Sequence, residues 1–303
     1  MNKELTSEEL LKSDYFTVYR AYEDYLYLIN CSEYTRKAYL SNFRRYYLWC
    51  ESKNITDIYH QMQVKAYLIH RVKNGAKWQT MNNIYSAMRK LFREVLNTEW
   101  SFKKLPRAKR ERHLPEILSK EEVQKLIEGC RKNIKHQTII ITLYSTGMRV
   151  GELRKLQLRD ILSDRLQIRV IKGKGGKDRY IDIPKILLEV LRKYYVLNKP
   201  KEYLFYGKYK TQMISVSAVR WAIRESKKRM KIQKKASTHT LRHCYATHHL
   251  ESGTDLVYLQ QNLGHKHLKT TARYIHLCKE RYQHINHPIK QMKLPLLDQK
   301  KTE

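Results

Sequence analysis

Acidic side chains are the scarce class in this sequence. Across 303 residues, 29 Asp and Glu stand against 61 Lys and Arg, a formal charge of +32. So large an excess strains a compact fold through self-repulsion unless a polyanion compensates it, and nucleic acid is the polyanion that fits. An anionic membrane surface would call for a basic amphipathic helix with a bulky apolar face, whereas here the basic residues are spread along the whole chain. Cysteine is also sparse. Cys31, Cys50, Cys130, Cys244 and Cys278 are odd in number, far apart and free of any Cys-x-x-Cys pair. That pattern favours reduced thiols in a cytosolic protein and speaks against a Cys-rich zinc module. No apolar run approaches a membrane span: the stretch from Thr138 to Tyr144 is among the longest and reads as a buried helix. The polar, acidic opening from Met1 to Glu9 does not read as a signal peptide. Internal repeats and low-complexity stretches are lacking too. The expectation is a soluble, cytoplasmic chain long enough for two cores.

What is present divides at a basic segment. Tyr15, Tyr19, Tyr22, Leu26 and Ile29 recur at helical spacing, and Ala38, Tyr39, Phe43, Tyr46 and Tyr47 repeat the pattern. Val64, Leu68 and Val72 predict a third helix stopping at Asn74-Gly75, and Trp78 to Leu96 a fourth. Most of these aromatics are expected to fill a core, with basic faces turned to a duplex. Lys103, Lys104, Arg107, Lys109, Arg110 and Arg112, broken by Pro106, then form a linker suited to strapping a phosphate backbone, although a charge run is equally explained by solvation. Beyond it, Ser119 and Glu122 resemble a capping box opening a helix to Gly129. Further helices are expected over Gln137–Ser145, Val150–Leu156, Pro184–Tyr195, Ser215–Met230, Thr240–Glu251, Asp255–Leu263 and Thr270–Tyr282. Between them Leu166, Ile168 and Val170 alternate with polar residues, and a Gly-rich turn leads to Asp178–Ile183, a hairpin. The fold class is therefore mainly α with a small antiparallel β-sheet in the C-terminal domain. The expected division is 1–105 as an N-terminal helical bundle, 106–115 as linker, 116–288 as the second domain and 289–303 as a tail.

Several residues carry chemistry. Arg149 follows the Gly147 turn, with Glu152 on the same helical face to hold its guanidinium, or simply as a surface pair. His239 and Arg242 point in similar directions from one helix, and His243 falls close by. Two histidines at this spacing also suit zinc, but Thr240 stands where a metalloprotease has Glu, and a neighbouring Arg sits badly beside a metal. Core packing is the preferred reading for His243. His265, after Gly264, is expected at a surface cleft. Tyr274 is one of 23 tyrosines, singled out by its place after His265; Tyr245 and Tyr258 read as core packing. Arginine forks bind phosphate oxygens, imidazoles move protons, and a phenol oxygen attacks phosphorus.

Gly147-x-Arg149-x-x-Glu152-Leu153, Gly173-Lys174-Gly175, His239-x-x-Arg242-His243, Leu263-Gly264-His265 and Tyr274, in that order, resemble the signature of the tyrosine recombinase/integrase family, of Xer and phage-integrase type. The resemblance runs from about Leu118 to His276; the N-terminal bundle shares only helical content and position with the family's core-binding domain. It implies a tyrosine-recombinase-like catalytic domain that forms a C-shaped clamp on DNA with the bundle. It implies that Arg149, Lys174, His239, Arg242 and His265 surround the scissile phosphate while Tyr274 attacks it, with Glu152 and His243 in support. Lys172 and Lys177 flank Lys174 in the same turn. His239 or His265 would take the phenol proton and Lys174 would protonate the leaving oxygen. The implied activity is site-specific recombination through a 3′-phosphotyrosyl link, with no cofactor, metal or ATP. The implied partners are double-stranded DNA with paired sites and further copies in a tetramer, homotypic or with a related recombinase, the tail around Met292 to Leu297 docking in cis or in trans. The implied location is bacterial-type cytoplasm, at the nucleoid. The chain is expected to lack an arm-binding domain, which leans toward Xer-like or mobile-element enzymes. A catalytically silent DNA-binding protein and a zinc hydrolase using His239, His243 and another His are the rivals from other classes.

Overall fold

A computed structural model describes residues 14–101, 107–109, 115–171 and 178–278. The chain divides into two compact units, Met1–His113 and Leu114–Glu303. The first contains α1 (Tyr15–Leu28), α2 (Glu33–Glu51), α3 (Gln61–Lys73) and α4 (Trp78–Lys90). Asp14 and Ser32 cap the first two helices through their side-chain oxygens, and Asn74 with Gly75 at φ 77° ends the third. The fourth departs from expectation. At Leu91 it leaves α geometry and runs as a π turn to Val95, which Leu96 closes by donating to the Leu91 carbonyl. Leu91, Phe92, Val95 and Leu96 all remain buried in that wider turn.

Tyrosine dominates this first core, and each buried hydroxyl needs a partner. Tyr22 donates to the Ala87 carbonyl at 2.7 Å and Tyr46 to that of Ile58 at 2.6 Å, while Tyr85 accepts from Trp100 Nε1 at 3.0 Å. Tyr27 and Tyr34 are exposed and take no part. Of the basic segment, Arg107 and Lys109 are described and solvent-exposed. The Arg107 guanidinium lies 5.0 Å over the Tyr85 ring, and the Ala108 carbonyl accepts from Asn82. Lys103, Lys104, Arg110 and Arg112 lie outside the described residues.

The second unit holds α5 (Lys120–Glu128), α6 (Ile134–Thr146), α7 (Val150–Lys155), a sheet of β1 (Ile161–Leu162), β2 (Gln167–Val170) and β3 (Arg179–Asp182), then α8 (Lys185–Asn198), α9 (Val216–Arg229), α10 (Thr238–Glu251), α11 (Leu256–Leu263) and α12 (Leu268–Ala272). The Ser119–Glu122 capping box is formed. The sheet is antiparallel in order β1-β2-β3, pairing Ile161 with Ile168 and Ile168 with Ile181. The first strand is too short to show alternation, and Leu166, expected to open β2, instead turns the chain at φ 51°. Ile168, Val170 and Ile181 pack into a core with Ile139, Leu143, Leu153, Leu187, Phe205 and Leu241. The single helix expected over Thr270–Tyr282 is not what forms: α12 stops at Ala272, a tight turn spans Ile275–Leu277, and Cys278 is extended.

Candidate active site

Two glycines set the geometry. Helix α6 ends at Gly147, which adopts φ 59°, and a Cβ there would meet the Tyr245 ring at 2.4 Å. The turn buries Met148 and delivers Arg149 as the first residue before α7. Arg149 donates through its backbone N–H to Glu152 Oε2 at 2.8 Å and through Nη1 to Glu152 Oε1 at 2.9 Å. Glu152 holds a second guanidinium as well. Arg179, on β3, donates Nη2 to Oε2 at 2.8 Å, Nη1 to Oε1 at 3.1 Å, and Nε to the Asn262 carbonyl at 2.8 Å. Burial alone would raise the Glu152 carboxyl, but the hydrogen bonds and charges of Arg179 and Arg149 outweigh it and hold it near 2.

Arg242, on α10, is 4% exposed. Its Nη1 donates to the Gly147 carbonyl at 2.7 Å, and its Nη2 to the Leu263 carbonyl at 2.7 Å and to His265 Nε2 at 2.9 Å. The second glycine, Gly264 at φ 62°, makes the turn that exposes the Leu263 carbonyl and swings His265 back. A guanidinium has no acceptor, so His265 Nε2 must accept, which leaves the ring proton on Nδ1 to be donated to Thr271 Oγ1 at 2.8 Å. Both imidazole nitrogens are engaged. Burial and then Arg242 push the His265 pKa down to about 3, while burial and then Arg149 draw Arg242 down to about 10.

Tyr274 follows α12, its N–H bonded to the Thr271 carbonyl, and its side chain is 5% exposed among Tyr245, Leu259 and Leu263. The phenol oxygen lies 3.1 Å from His243 Nδ1, and the ring stacks near that of His265 with centroids 6.3 Å apart. Burial raises the phenol pKa, and the guanidiniums of Arg242, Arg273 and Arg149 oppose the rise. Burial, then His239 and Arg242, lower His243 to about 4. His243 is therefore not core packing, as its position on the helix suggests, but the partner of the Tyr274 hydroxyl. His265 is tied to Arg242 and Thr271 instead. His239 is solvent-exposed with no hydrogen bond to a described residue, its pKa lowered by lost hydration and then by Arg242, Arg220 and Arg149. Lys174 lies outside the described residues.

Tyr245 is buried as expected, but Tyr258 is half-exposed and donates to Asp182 Oδ2 at 2.8 Å, so it is not a core residue. Arg179 was missed, although a signal existed. In a strand, residues two apart share a face, so Arg179 lies on the side of the buried Ile181, and an inward-facing charge needs a partner.

Arg149 and Arg179 thus share one carboxylate, while Arg242 is held by two carbonyls and an imidazole, so that among the described residues three guanidiniums of this cluster stand against a single acidic side chain. Arg149 keeps 24% of its side chain exposed, against 11% for Arg179, and its Nη2 and Nε bond to no described residue. Among the described residues no three His, Cys, Asp or Glu side chains gather to hold a metal ion, and none of the helices is long and apolar enough to cross a membrane. The arrangement suits a phosphate diester beside a phenol.

The comparisons agree across both units. Residues 116–281 match the phage integrase family model, and residues 19–102 match the phage integrase N-terminal SAM-like domain. Tyrosine recombinase XerA of Pyrococcus horikoshii is 32% identical over 291 residues, covering 95% of this chain and 96% of that protein. A Sinorhizobium fredii protein carried under the name integrase/recombinase y4qK is 39% identical over 194 residues, 64% of this chain but only 63% of its own length, less than two thirds. Among solved structures, the XerH site-specific recombinase bound to difH substrate in a pre-cleavage complex aligns with a TM-score of 0.66 at 20% identity, over 92% of this chain and 84% of that one.

Proposed function

This chain belongs to the phage integrase family, and from that premise we propose that it is a site-specific tyrosine recombinase, cutting and rejoining DNA through a covalent 3′-phosphotyrosyl intermediate with Tyr274 as nucleophile. One observation carries the reading of the site: the Tyr274 hydroxyl stands in a cluster where, among the described residues, Arg149, Arg179 and Arg242 stand against the single carboxylate of Glu152.

The scissile phosphate sits against the free donors of Arg149 and the buried fork of Arg242. As the Tyr274 oxygen–phosphorus bond forms, charge grows on the non-bridging oxygens, where fixed cationic donors stabilise it as a metal would elsewhere. His243 holds the phenol in line by accepting its proton in a hydrogen bond. His265 supports Arg242 and, through Thr271, the turn that carries Tyr274. The phosphorus–5′-oxygen bond breaks, Lys174 supplies the proton to the departing hydroxyl, and a 5′-hydroxyl from a second strand reverses the steps. The bond energy stays in the phosphotyrosine, so neither ATP nor a metal is consumed. His239, exposed and with no hydrogen bond to a described residue, is assigned as a further donor to the phosphate.

The N-terminal unit adds contacts of its own to DNA, with Arg107 and Lys109 exposed on the segment that packs beside Tyr85 and Asn82. Exchange between two duplexes needs paired sites, and four copies are the assembly that supplies one Tyr274 to each strand. The decisive experiment offers the protein a pool of nicked duplexes with randomised flanks in EDTA. Cleavage beside the nick releases a short fragment and strands the enzyme on DNA. Denaturation-resistant protein–DNA adducts are expected from the wild type and none from Tyr274→Phe; adducts that persist in the variant, or that appear only with added metal, would remove the proposal.

A further inference from the structure

We propose that Arg179 is a positioning residue that keeps Arg149 available to the phosphate by occupying Glu152 in its place, a role that rests on Arg149 being a phosphate ligand. The Glu152 carboxylate is 8% exposed and receives four N–H donors. Arg179 takes it end-on, one N–H to each oxygen, the bidentate geometry a guanidinium favours. Arg149 touches it side-chain to side-chain at one point only, through Nη1. The two arginines are therefore not equivalent: one is spent on the carboxylate, the other is left with donors facing outward.

The anchoring of Arg179 makes the division one-way. Its Nε is held by the Asn262 carbonyl, and its Cδ lies against Gly264 so closely that a Cβ there would stand 3.0 Å away. On an inward-facing strand position it has no route to a phosphate. Arg149 has one. Without Arg179, a buried, ionised carboxylate would keep its full charge beside Arg149, the nearest remaining guanidinium. That charge would draw Arg149 into the vacated bidentate contact and cancel the positive potential it presents to DNA. Glu152 thus helps or harms according to whether Arg179 is in place.

This predicts coupling of an unusual sign. With the captured nicked duplex as substrate, Arg179→Gln should slow single-turnover adduct formation by roughly 10²-fold, the scale of losing one fixed donor to developing charge. Affinity for a non-specific 30-mer duplex should stay within about threefold, because that binding is spread over many phosphates. Adding Glu152→Gln removes the competing charge, so the double variant should recover about tenfold over Arg179→Gln. A residue that merely braced the fold would give additive or worse loss. A double variant no faster than Arg179→Gln would overturn the proposal. Should Arg179→Gln fail to fold by circular dichroism, Arg179→Lys serves instead: it keeps the charge but not the fork, and the same rescue by Glu152→Gln is expected. Arg149→Gln separates the two readings. If cleavage ignores that change, the role of Arg149 falls and this proposal with it; if cleavage is lost and rescue is absent, only the present proposal falls.

Discussion

Replacing His243 tests whether it acts as a standing base or as an orienting acceptor. In the free protein its pKa lies near 4, while burial holds the Tyr274 phenol above its ordinary value of 10.0. Moving the proton from phenol to imidazole in the free protein is then steeply uphill. No phenolate is stored at neutral pH, and on the proposed mechanism the proton passes to water only as the oxygen–phosphorus bond forms. What His243 supplies beforehand is an acceptor 3.1 Å from the hydroxyl. His243→Gln offers an amide oxygen in its place and should keep single-turnover adduct formation within about tenfold of wild type. His243→Leu leaves a buried hydroxyl unpartnered at about 1–3 kcal/mol, which corresponds to a loss of roughly 5–160-fold. The assay is capture of the nicked duplex between pH 5 and 9, read on denaturing gels. If His243→Gln is as dead as Tyr274→Phe, or if the wild-type rate shows an inflection near pH 6.5 that His243→Gln removes, the orienting account is refuted.

Three further outcomes follow from the same geometry. Gly147→Ala combines a left-handed backbone with a methyl driven into the Tyr245 ring, so it should destabilise the protein by about 2–4 kcal/mol in urea melts; wild-type stability would show that the turn relaxes freely. The folded-state pKa values of His243 and His265, about 4 and about 3, lie below the unfolded value, so on acidification through pH 6.5 the unfolded chain takes up protons that the folded one refuses. Stability should therefore fall from pH 6.5 toward pH 4, by up to about 1.4 kcal/mol per pH unit for each histidine, and a flat profile of melting temperature would contradict the assignment. Sulfate at constant ionic strength should raise the melting temperature by filling the cationic site, and Arg149→Gln should blunt that rise; equal stabilisation of both proteins would place the ion elsewhere.

The elements most legible in the sequence are those whose signals are local. Ser119 and Glu122 specify a cap on their own, Gly147 and Gly264 end helices in the left-handed conformation, and the α1–α3 periodicities need no partner to be seen. The two-residue β1 carries no period, and the π turn at Leu91 differs from an α-helix only in how the backbone closes. In the site, Arg149 with Glu152 is readable because both lie within one helical turn. The choice between His239 and His243 is not. Both project from the first turns of α10, and which one meets Tyr274 is decided by where α11, α12 and the following turn return to that helix. Arg179 is likewise joined to Glu152 across 27 residues, and its inward placement emerges only when the strand is paired through Ile181.

Burial and positive charge act together in this site. Burial and then Arg149 lower the Arg242 pKa to about 10, and burial, reinforced by the positive charge of Arg242, keeps His243 and His265 neutral. A neutral His265 is required for Nε2 to accept from Arg242, and a neutral His243 is required to accept from Tyr274. Burial and positive charge together therefore set these hydrogen bonds before any DNA arrives. On the proposed mechanism, a phosphate entering the cluster relieves repulsion between arginines already fixed by the Gly147 and Leu263 carbonyls and by Glu152, with little rearrangement. Since that relief grows with the charge on phosphorus, it favours the transition state over the bound diester, which is where stabilisation accelerates a reaction. Neutralising one arginine by a mutation should therefore depress the rate of attack more than it depresses binding to DNA, whose affinity is shared among many lysines and arginines along the chain.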